Sequence, residues 1–205
     1  APDGSLRTIS GYGFHGGALA LGRRCDHQYD PAFMTPLLGR DRVTLIAAEG
    51  VVHVDNMGGL FRNADCLGAD GVLLAPDCAD PLFRKTLRIS SGRVFTIPWR
   101  FVTPWPSALA RLRDEHGFRI IGLDTHPDAV SIDRMGEGDR TVLLFGAEGP
   151  GLSKEAIEQC DQLCEIPVRR AHAGDEDASI NVAVASGIAL HERFRRLRGL
   201  GNDLD

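Results

Sequence analysis

The sequence predicts an α/β domain in which a parallel sheet is covered by helices on both faces. Two observations support this prediction. Short apolar runs rich in Val, Ile and Leu recur over residues 43–167, and segments with helical spacing separate most of them. Strands that alternate with helices form βαβ units, and strands buried on both faces are apolar throughout. The composition agrees, because 43% hydrophobic and 25% charged residues are ordinary values for a globular chain of 205 residues.

Six apolar runs are predicted to be strands. The first, VTLIAA, is typical of a fully buried strand. The third, VFTIP, is expected to stop at Pro98, because proline has no N–H to donate to a sheet. The predicted strands are residues 43–48, 71–75, 94–98, 118–124, 141–146 and 162–167.

Five segments are predicted to be helices. In the first, Leu60, Ala64 and Leu67 recur at helical spacing and form one apolar stripe. Glycines are expected to end the second and third helices, and Ser153 is expected to cap the start of the fourth. The last is apolar at first and basic towards its end. The predicted helices are residues 56–69, 81–92, 106–117, 153–160 and 178–198.

Charge and hydropathy argue against several classes of protein. The net charge of −5 argues against a protein that coats nucleic acid through bulk positive charge, although it permits a local basic surface. No apolar run approaches the roughly 18 residues that a membrane helix needs. The first ten residues lack the basic start and the apolar stretch of a secretory signal, so the chain is expected in the cytoplasm.

Metal and nucleotide motifs are incomplete. The five cysteines form no CxxC pair and the seven histidines no HExxH, so no metal site is predicted and the thiols are expected to be reduced and idle. Residues 11–16 match GxGxxG but do not follow a buried strand. Residues 146–151 have the glycine spacing of a P-loop, yet Leu152 and Ser153 stand where Lys and Ser/Thr are required. Neither a dinucleotide site nor an NTPase is predicted.

Three other stretches lie where a site is expected. NMGGLFRNA at residues 56–64 opens the first predicted helix, and LLFGAEGPGLS at residues 143–153 joins a strand to a capped helix through a glycine-rich turn. ASINVAVASGIALHE at residues 178–192 opens the last helix. Ligands of parallel α/β sheets bind beyond the carboxyl ends of the strands, in the loops that follow.

In this order and context, the three stretches resemble the motifs of the SpoU–TrmH family of RNA ribose 2′-O-methyltransferases, which belong to the SPOUT class. The resemblance covers approximately residues 41–198. It implies methyl transfer from S-adenosylmethionine (SAM) to a ribose 2′-hydroxyl of tRNA or rRNA, without a metal. It also implies a deep trefoil knot at the C-terminal end of the domain and a homodimer with the active site near the subunit interface. Knots are almost absent from proteins, so only the resemblance suggests one here.

The resemblance also implies a set of catalytic residues, one from each matching motif position. These are Asn56 and Arg62 from the first motif, Glu148 from the second, and Ser179 and Asn181 from the third. We expect Arg62 to clamp phosphate and ribose, because a guanidinium resists deprotonation. A role for Arg62 as proton acceptor is the alternative. Glu148 would orient Arg62 or Asn56, and Ser179 would also cap the last helix.

The cofactor is expected against backbone in four places. By resemblance these lie around Gly146 and Gly149, around Ile166 in the IPV stretch, at Ile180, and in the loop after Leu123.

The chain departs from the family pattern in three places. Ile180 replaces the usual Leu, and residues 169–178 form a longer link before the third motif than is usual. Residues 1–40 resemble only the linker that follows an N-terminal RNA-binding domain in many members. The predicted organisation is therefore an arm over residues 1–40 and a catalytic domain over residues 41–205.

A basic stretch independently suggests RNA binding. Residues 81–113 contain no acid but seven basic side chains: Arg84, Lys85, Arg88, Arg93, Arg100, Arg111 and Arg113. Five aromatic residues lie among them: Phe83, Phe95, Trp99, Phe101 and Trp105. Basic side chains can meet phosphates while aromatic rings stack on bases, and Arg84 and Arg88 are the predicted contacts. The alternative is that the rings belong to the core or to a dimer interface. A second basic cluster, Arg193, Arg195, Arg196 and Arg198, ends the last predicted helix.

Two other functions stay open. A base-modifying SPOUT methyltransferase would share the fold and the cofactor, but such enzymes carry different first and third motifs. A non-catalytic RNA-binding protein that retains SAM is the second alternative, and the presence of Arg62, Glu148 and Asn181 argues against such a loss of activity.

Overall fold

The computed structural model describes residues 22–24, 35–169 and 179–199, and a seven-stranded sheet lies at its centre. The strands are β1 (Val43–Ala48), β2 (Gly71–Leu74), β3 (Trp99–Phe101), β4 (Arg119–Leu123), β5 (Val130–Ser131), β6 (Arg140–Phe145) and β7 (Gln162–Glu165). They lie in the order β3-β2-β1-β6-β4-β7-β5, and every pair is parallel.

Within the described ranges, six α-helices accompany the sheet. They are α1 (Thr35–Leu38), α2 (Val54–Cys66), α3 (Arg84–Ile89), α4 (Ser107–His116), α5 (Lys154–Ile157) and α6 (Val182–Gly199). Five match helices predicted from the sequence, whereas α1 was not predicted. The hydroxyl of Ser153 accepts a hydrogen bond from the Ala156 N–H at 3.1 Å, which confirms the predicted cap of α5.

Both faces of the sheet are covered by helices, as the sequence predicted. Successive strand residues point to opposite faces, so Leu45 and Ala47 of β1 pack in one core with α1, α4 and α5. Ile46 and Ala48 of the same strand pack in the other core with α2 and α6. The predicted fold class is therefore confirmed, whereas the trefoil knot stays a prediction.

Helices α2 and α6 approach each other closely on the second face. A Cβ atom built on Gly59 would lie 2.7 Å from the Cβ of Ala183, so only glycine fits at this crossing. The amide of Asn63 donates hydrogen bonds to the Ser186 hydroxyl, at 3.0 Å, and to the Ala183 carbonyl. This contact brings the first turns of the two helices to the same edge of the sheet, where two of the three motifs begin.

The predicted strand over residues 94–98 is wrong. Residues Arg93–Phe95 form a 3-10 turn, and β3 begins only at Trp99. Val94 and Ile97 are both buried, and their spacing of three residues suits one helical face that packs into the core. The two-residue strand β5 was not predicted either, because two residues carry no detectable periodicity.

The second basic cluster, at the end of α6, does not lie wholly on the surface. Arg193 is 2% exposed, and its guanidinium donates hydrogen bonds to the Asp139 carbonyl at 3.1 Å and to the Thr44 hydroxyl at 3.3 Å. Burial lowers the pKa of this guanidinium. Arg193 therefore ties α6 to β1 and to the loop before β6, and it does not reach RNA.

The thiols of Cys78 and Cys164 are buried, and that of Cys160 is half-buried beside a core. Burial raises the pKa of Cys78 and of Cys160 to about 12, and that of Cys164 to about 11. These thiols therefore stay protonated at neutral pH and are poor nucleophiles, since the thiolate is the reactive form.

Several predictions concern residues outside the described ranges. These include the GxGxxG match at 11–16, most of the arm over 1–40, and nearly all of the long link at 169–178. The division into an arm and a catalytic domain stays a prediction. Leu37 of α1, which belongs to the predicted arm, is buried in the core shared with α4. No helix in the described ranges is both long and apolar enough to cross a membrane.

Candidate functional site

A cavity of about 360 Å³ opens beyond the carboxyl ends of β4, β6 and β7. The cavity is formed by the loops that follow these strands, which is where parallel α/β sheets bind ligands. All five residues predicted to contact the cofactor line the cavity: Leu123, Gly146, Gly149, Ile166 and Ile180. Four separate loops of the chain thus meet around one space.

The glycine-rich turn after β6 forms one wall of the cavity. Ala147 and Gly151 exchange two backbone hydrogen bonds, of 3.0 and 3.1 Å, which close the turn. A Cβ atom on Gly146 would overlap the backbone of Gly151 and Leu152, so this position accepts no side chain. The close approach explains why the sequence has glycine at the start of the turn.

Two carboxylates anchor the far end of this turn. Asp124, directly after β4, accepts a hydrogen bond from the Leu152 N–H at 2.7 Å. Glu49, directly after β1, accepts one from the Ser153 N–H at 3.2 Å. Sequence reasoning missed both residues, although their position after buried strands was the available signal. The turn after β6 is therefore held from the ends of the two strands that flank β6 in the sheet.

Asn181 connects residues from all three motifs. Its side-chain N–H₂ group donates to the side-chain amide oxygen of Asn56 at 2.8 Å and to the Glu148 carboxylate at 2.8 Å. Its side-chain oxygen accepts the Ala183 N–H at 3.0 Å and so caps α6. The expectation that Ser179 caps this helix is wrong, because α6 begins three residues after it. Ser179 instead lines the cavity.

Glu148 reaches Asn56 only through Asn181. Of the two residues that Glu148 was expected to orient, Asn56 is linked to it in this way, and no hydrogen bond or ion pair joins Glu148 to Arg62 within the described ranges. The second carboxylate oxygen of Glu148 lies 3.7 Å from Nε2 of His53, which occupies the N-cap position of α2. Sequence reasoning missed His53, three residues before Asn56. Its place at a strand-to-helix junction was a usable signal.

Arg62 lies apart from this cluster. Six residues correspond to about 240° of rotation around an α-helix, so Arg62 and Asn56 point from different faces of α2. Asn56 is buried, whereas Arg62 is exposed and makes no hydrogen bond or ion pair with the residues that the structure describes. The site of a single chain therefore contains four of the five predicted catalytic residues.

The cavity carries negative charge. Three carboxylates line it, those of Asp124, Glu148 and Glu165, and no lysine or arginine is among its described lining residues. Cys164 adds an uncharged thiol, because burial raises its pKa to about 11. Such a cavity favours a ligand with positive charge and an apolar part. Across the described residues, no three His, Cys, Asp or Glu side chains are placed to hold a metal ion.

Carboxylates neutralise part of the basic stretch. Four of its side chains form ion pairs with carboxylates: Lys85 with Asp55, Arg93 with Asp65, Arg111 with Glu115, and Arg113 with Asp114. Arg84 and Arg88, the predicted RNA contacts, are exposed one turn apart on α3. The four partner carboxylates lie outside residues 81–113, two of them just after residue 113. The composition of the stretch alone therefore did not indicate these ion pairs.

The aromatic residues of this stretch divide into two groups. Trp99 packs edge-on against Phe61 and Phe101, with ring centroids 6.0 Å apart in each pair, and belongs to the core. Phe83 and Phe95 are 55% and 70% exposed. Phe83 and Phe95 are therefore the aromatic side chains of residues 81–113 that are most exposed for stacking with bases.

Comparison with known proteins identifies relatives of the whole domain. The model of the SpoU rRNA Methylase family matches residues 44–191. An uncharacterized tRNA/rRNA methyltransferase of Mycobacterium bovis is 34% identical over 199 residues, which are 96% of this chain and 65% of the relative. The 23S rRNA (guanosine-2′-O-)-methyltransferase RlmB of Ralstonia nicotianae is 31% identical over 96% of this chain and 76% of its own length. The chain thus spans just under two thirds of the mycobacterial relative.

Solved structures agree with this match. The crystal structure of the SpoU methyltransferase AviRb from Streptomyces viridochromogenes superposes with a TM-score of 0.70 at 29% identity, covering 82% of this chain and 66% of AviRb. An AdoMet-bound rRNA methyltransferase from Sinorhizobium meliloti gives a TM-score of 0.67 at 31% identity, covering 77% of this chain and 58% of that protein.

Proposed function

We propose, from the premise that this chain belongs to the SpoU rRNA methylase family, that it methylates a ribose 2′-hydroxyl of tRNA or rRNA with SAM as methyl donor. The observation that carries the proposal is the cavity at the carboxyl ends of β4, β6 and β7, bordered by the linked side chains of Asn56, Asn181 and Glu148. The 2′-O-methyltransferase name of the Ralstonia relative supports ribose as the target.

The cavity suits SAM in chemistry. SAM supplies an activated methyl group on a positively charged sulfur. The carboxylates of Asp124 and Glu165 complement such a charge, while Ile166 and Ile180 offer apolar surface to an adenine ring. The turn at Gly146 presents backbone rather than side chains to the ligand. Alignment of the methyl group with an attacking hydroxyl is the main contribution that such rigid walls can make.

RNA is the proposed partner, with a second copy of the chain in a cytoplasmic homodimer. Arg62 is proposed to clamp the phosphate and ribose of the target nucleotide, because its exposed guanidinium can bind oxygen atoms in a bidentate way. Its position outside the cluster of a single chain is compatible with an active site completed by RNA or by the second subunit.

SAM binding is the first expected result. Calorimetry of the folded protein with SAM should give a dissociation constant on the order of 1 μM, equivalent to about −8 kcal/mol. Absence of saturation at millimolar SAM would remove the basis for the proposed function.

The methylated atom requires a separate measurement. Total RNA from a deletion strain, digested to nucleosides and mapped by mass spectrometry, should lack one 2′-O-methyl nucleoside that the parent strain contains. Loss of a base-methylated nucleoside instead would favour the base-modifying alternative. An unchanged modification profile, with SAM binding intact, would favour the non-catalytic RNA-binding protein.

Removal of both Arg84 and Arg88 tests the proposed RNA surface. The double alanine variant should bind RNA more weakly, with a salt dependence reduced by about one unit of slope per lost phosphate contact. SAM affinity should not change. The matched control replaces Arg111 and Arg113, which removes the same charge from a different helix, α4. A lower dimer fraction in sedimentation, with an unchanged salt slope, would assign the surface to the dimer interface instead.

A further inference from the structure

One titratable side chain borders the candidate site without a role in the function proposed above. His53 stands at the N-cap of α2, and its Nε2 lies 3.7 Å from a carboxylate oxygen of Glu148. We infer that His53 accepts the proton of the attacking ribose 2′-hydroxyl during methyl transfer. This inference rests on the proposed function and assigns a step that the motif residues leave unassigned.

The reaction needs such an acceptor. The 2′-oxygen forms a bond to the methyl carbon as the carbon–sulfur bond breaks, so the electron pair of that bond stays on sulfur and the hydroxyl proton must leave. Arg62 is unsuited, because a guanidinium is already protonated and stays so at neutral pH. Asn56 and Asn181 carry amides, which do not accept protons near neutral pH. An imidazole, by contrast, changes its protonation state between pH 5 and 8.

The side chain that faces the His53 ring is a carboxylate. Asn181 holds one carboxylate oxygen of Glu148, and the other oxygen lies 3.7 Å from the ring. In hydrolase triads a carboxylate beside the imidazole holds the ring in its catalytic orientation, and Glu148 is the group placed for that role here. The other charged side chain at this end of α2 is Asp55, which is paired with Lys85 of α3 at 2.7 Å. Glu148 is therefore the charged side chain that the structure places beside the ring.

The ring is also accessible. The side chain of His53 is 69% exposed and that of Glu148 is 38% exposed, so a nucleotide can approach both from solvent. Asn181 and Glu148 line the cofactor cavity while His53 lies just outside it. Glu148 thus lies between the cavity and His53, which places the His53 ring at the cavity entrance. The ribose of a bound nucleotide has to meet the methyl group there. Contacts of this kind shorten when the substrate binds.

The test compares His53→Gln and His53→Ala with the unaltered chain in single-turnover methyl transfer. The probes are SAM and a mixture of unmodified tRNA and 23S rRNA transcripts, studied from pH 5.5 to 9. The unaltered chain should show a rate that rises with pH to a plateau near neutrality, because only the neutral imidazole accepts a proton. Both variants should be about 10²-fold slower at pH 7, the usual scale for loss of a general base.

Three readouts separate this role from a structural one. The His53→Gln variant should lose the rising limb below pH 7, exogenous imidazole should partly restore the His53→Ala variant, and SAM affinity by calorimetry should stay unchanged in both. His116→Gln, a control on α4 outside the cavity, should behave as the unaltered chain. A glutamine variant within threefold of full rate, a retained limb, or a parallel loss of SAM affinity would overturn the role of His53. An unaltered chain that methylates no transcript would overturn the proposed function itself, and this inference with it.

Discussion

Replacing Gly146 with alanine is expected to abolish SAM binding at concentrations where the unaltered chain is saturated. The new Cβ would overlap backbone atoms of Gly151 and Leu152, which cannot rotate away as a side chain could. The turn must therefore shift. A displacement of about 1 Å at the wall of a site can reduce the activity of that site by on the order of 10²-fold. Calorimetry with SAM measures the loss, and circular dichroism checks that the chain stays folded.

Two other glycines provide controls for this variant. Gly149 lies in the same turn at a φ of +88°, with nothing within 4 Å of an added Cβ, so alanine there adds strain without overlap. Strain of about 1–2 kcal/mol predicts a loss of roughly tenfold. Gly68, at a φ of +78° between α2 and β2, adds the same strain away from the cavity and should leave SAM affinity unchanged. Equal losses at Gly146 and Gly149 would contradict the steric explanation.

Replacing Arg62 with alanine should reduce methyl transfer by about 10²-fold or more while SAM affinity stays nearly intact. This is the scale of a lost electrostatic contact to the transition state. Arg62 is exposed and makes no contact within the described chain, so the free energy of unfolding should change by no more than about 0.5 kcal/mol. Single-turnover rates, SAM calorimetry and denaturant unfolding measure the three quantities.

The conservative variant separates the two roles considered for Arg62. Arg62→Lys should recover little activity, because a point charge cannot form the bidentate contact of a guanidinium. Near-full activity of the lysine variant would show that the clamp is wrong. Arg42→Ala is a suitable control, since Arg42 is an exposed arginine before the amino end of β1, at the edge of the sheet opposite the cavity.

Most of the fold could be predicted because its signals are local. The run at Val43–Ala48 is apolar in five of its six residues, and such near-continuous apolar runs are typical of strands buried on both faces. Ser153 caps α5 through a bond to a residue three positions away, and Gly117 ends α4 in a left-handed conformation at a φ of +67°. Each signal needs only a few consecutive residues.

The strand over residues 94–98 shows where local signals fail. Its β-branched residues favour a strand, yet Val94 and Ile97 are buried from a 3-10 turn and the edge strand begins at Trp99. Burial against α2 outweighs strand propensity at this position, because propensity differences are about 1 kcal/mol or less.

The members of the candidate site could be named from the sequence, but their roles could not. Resemblance to motifs identified Asn56, Glu148 and Asn181, and the structure links all three. It could not indicate that Asn181, rather than Ser179, caps α6 while joining the other two. Nor did any motif include His53, whose relation to Glu148 arises from two segments 95 positions apart in the chain.

The sequence by itself determined the alternation of strands and helices and the glycine-rich turn, because periodicity and spacing along the chain specify them, while the set of motif residues came from resemblance to a family. Only the tertiary structure decided which loops at the carboxyl ends of the strands meet around one cavity. It also decided that Arg193 is buried, that four basic residues form ion pairs, and that Arg62 points away from Asn56. These properties depend on strand order and on the rotation of one helix against another. Both are set by packing between segments far apart in sequence, which no local pattern records.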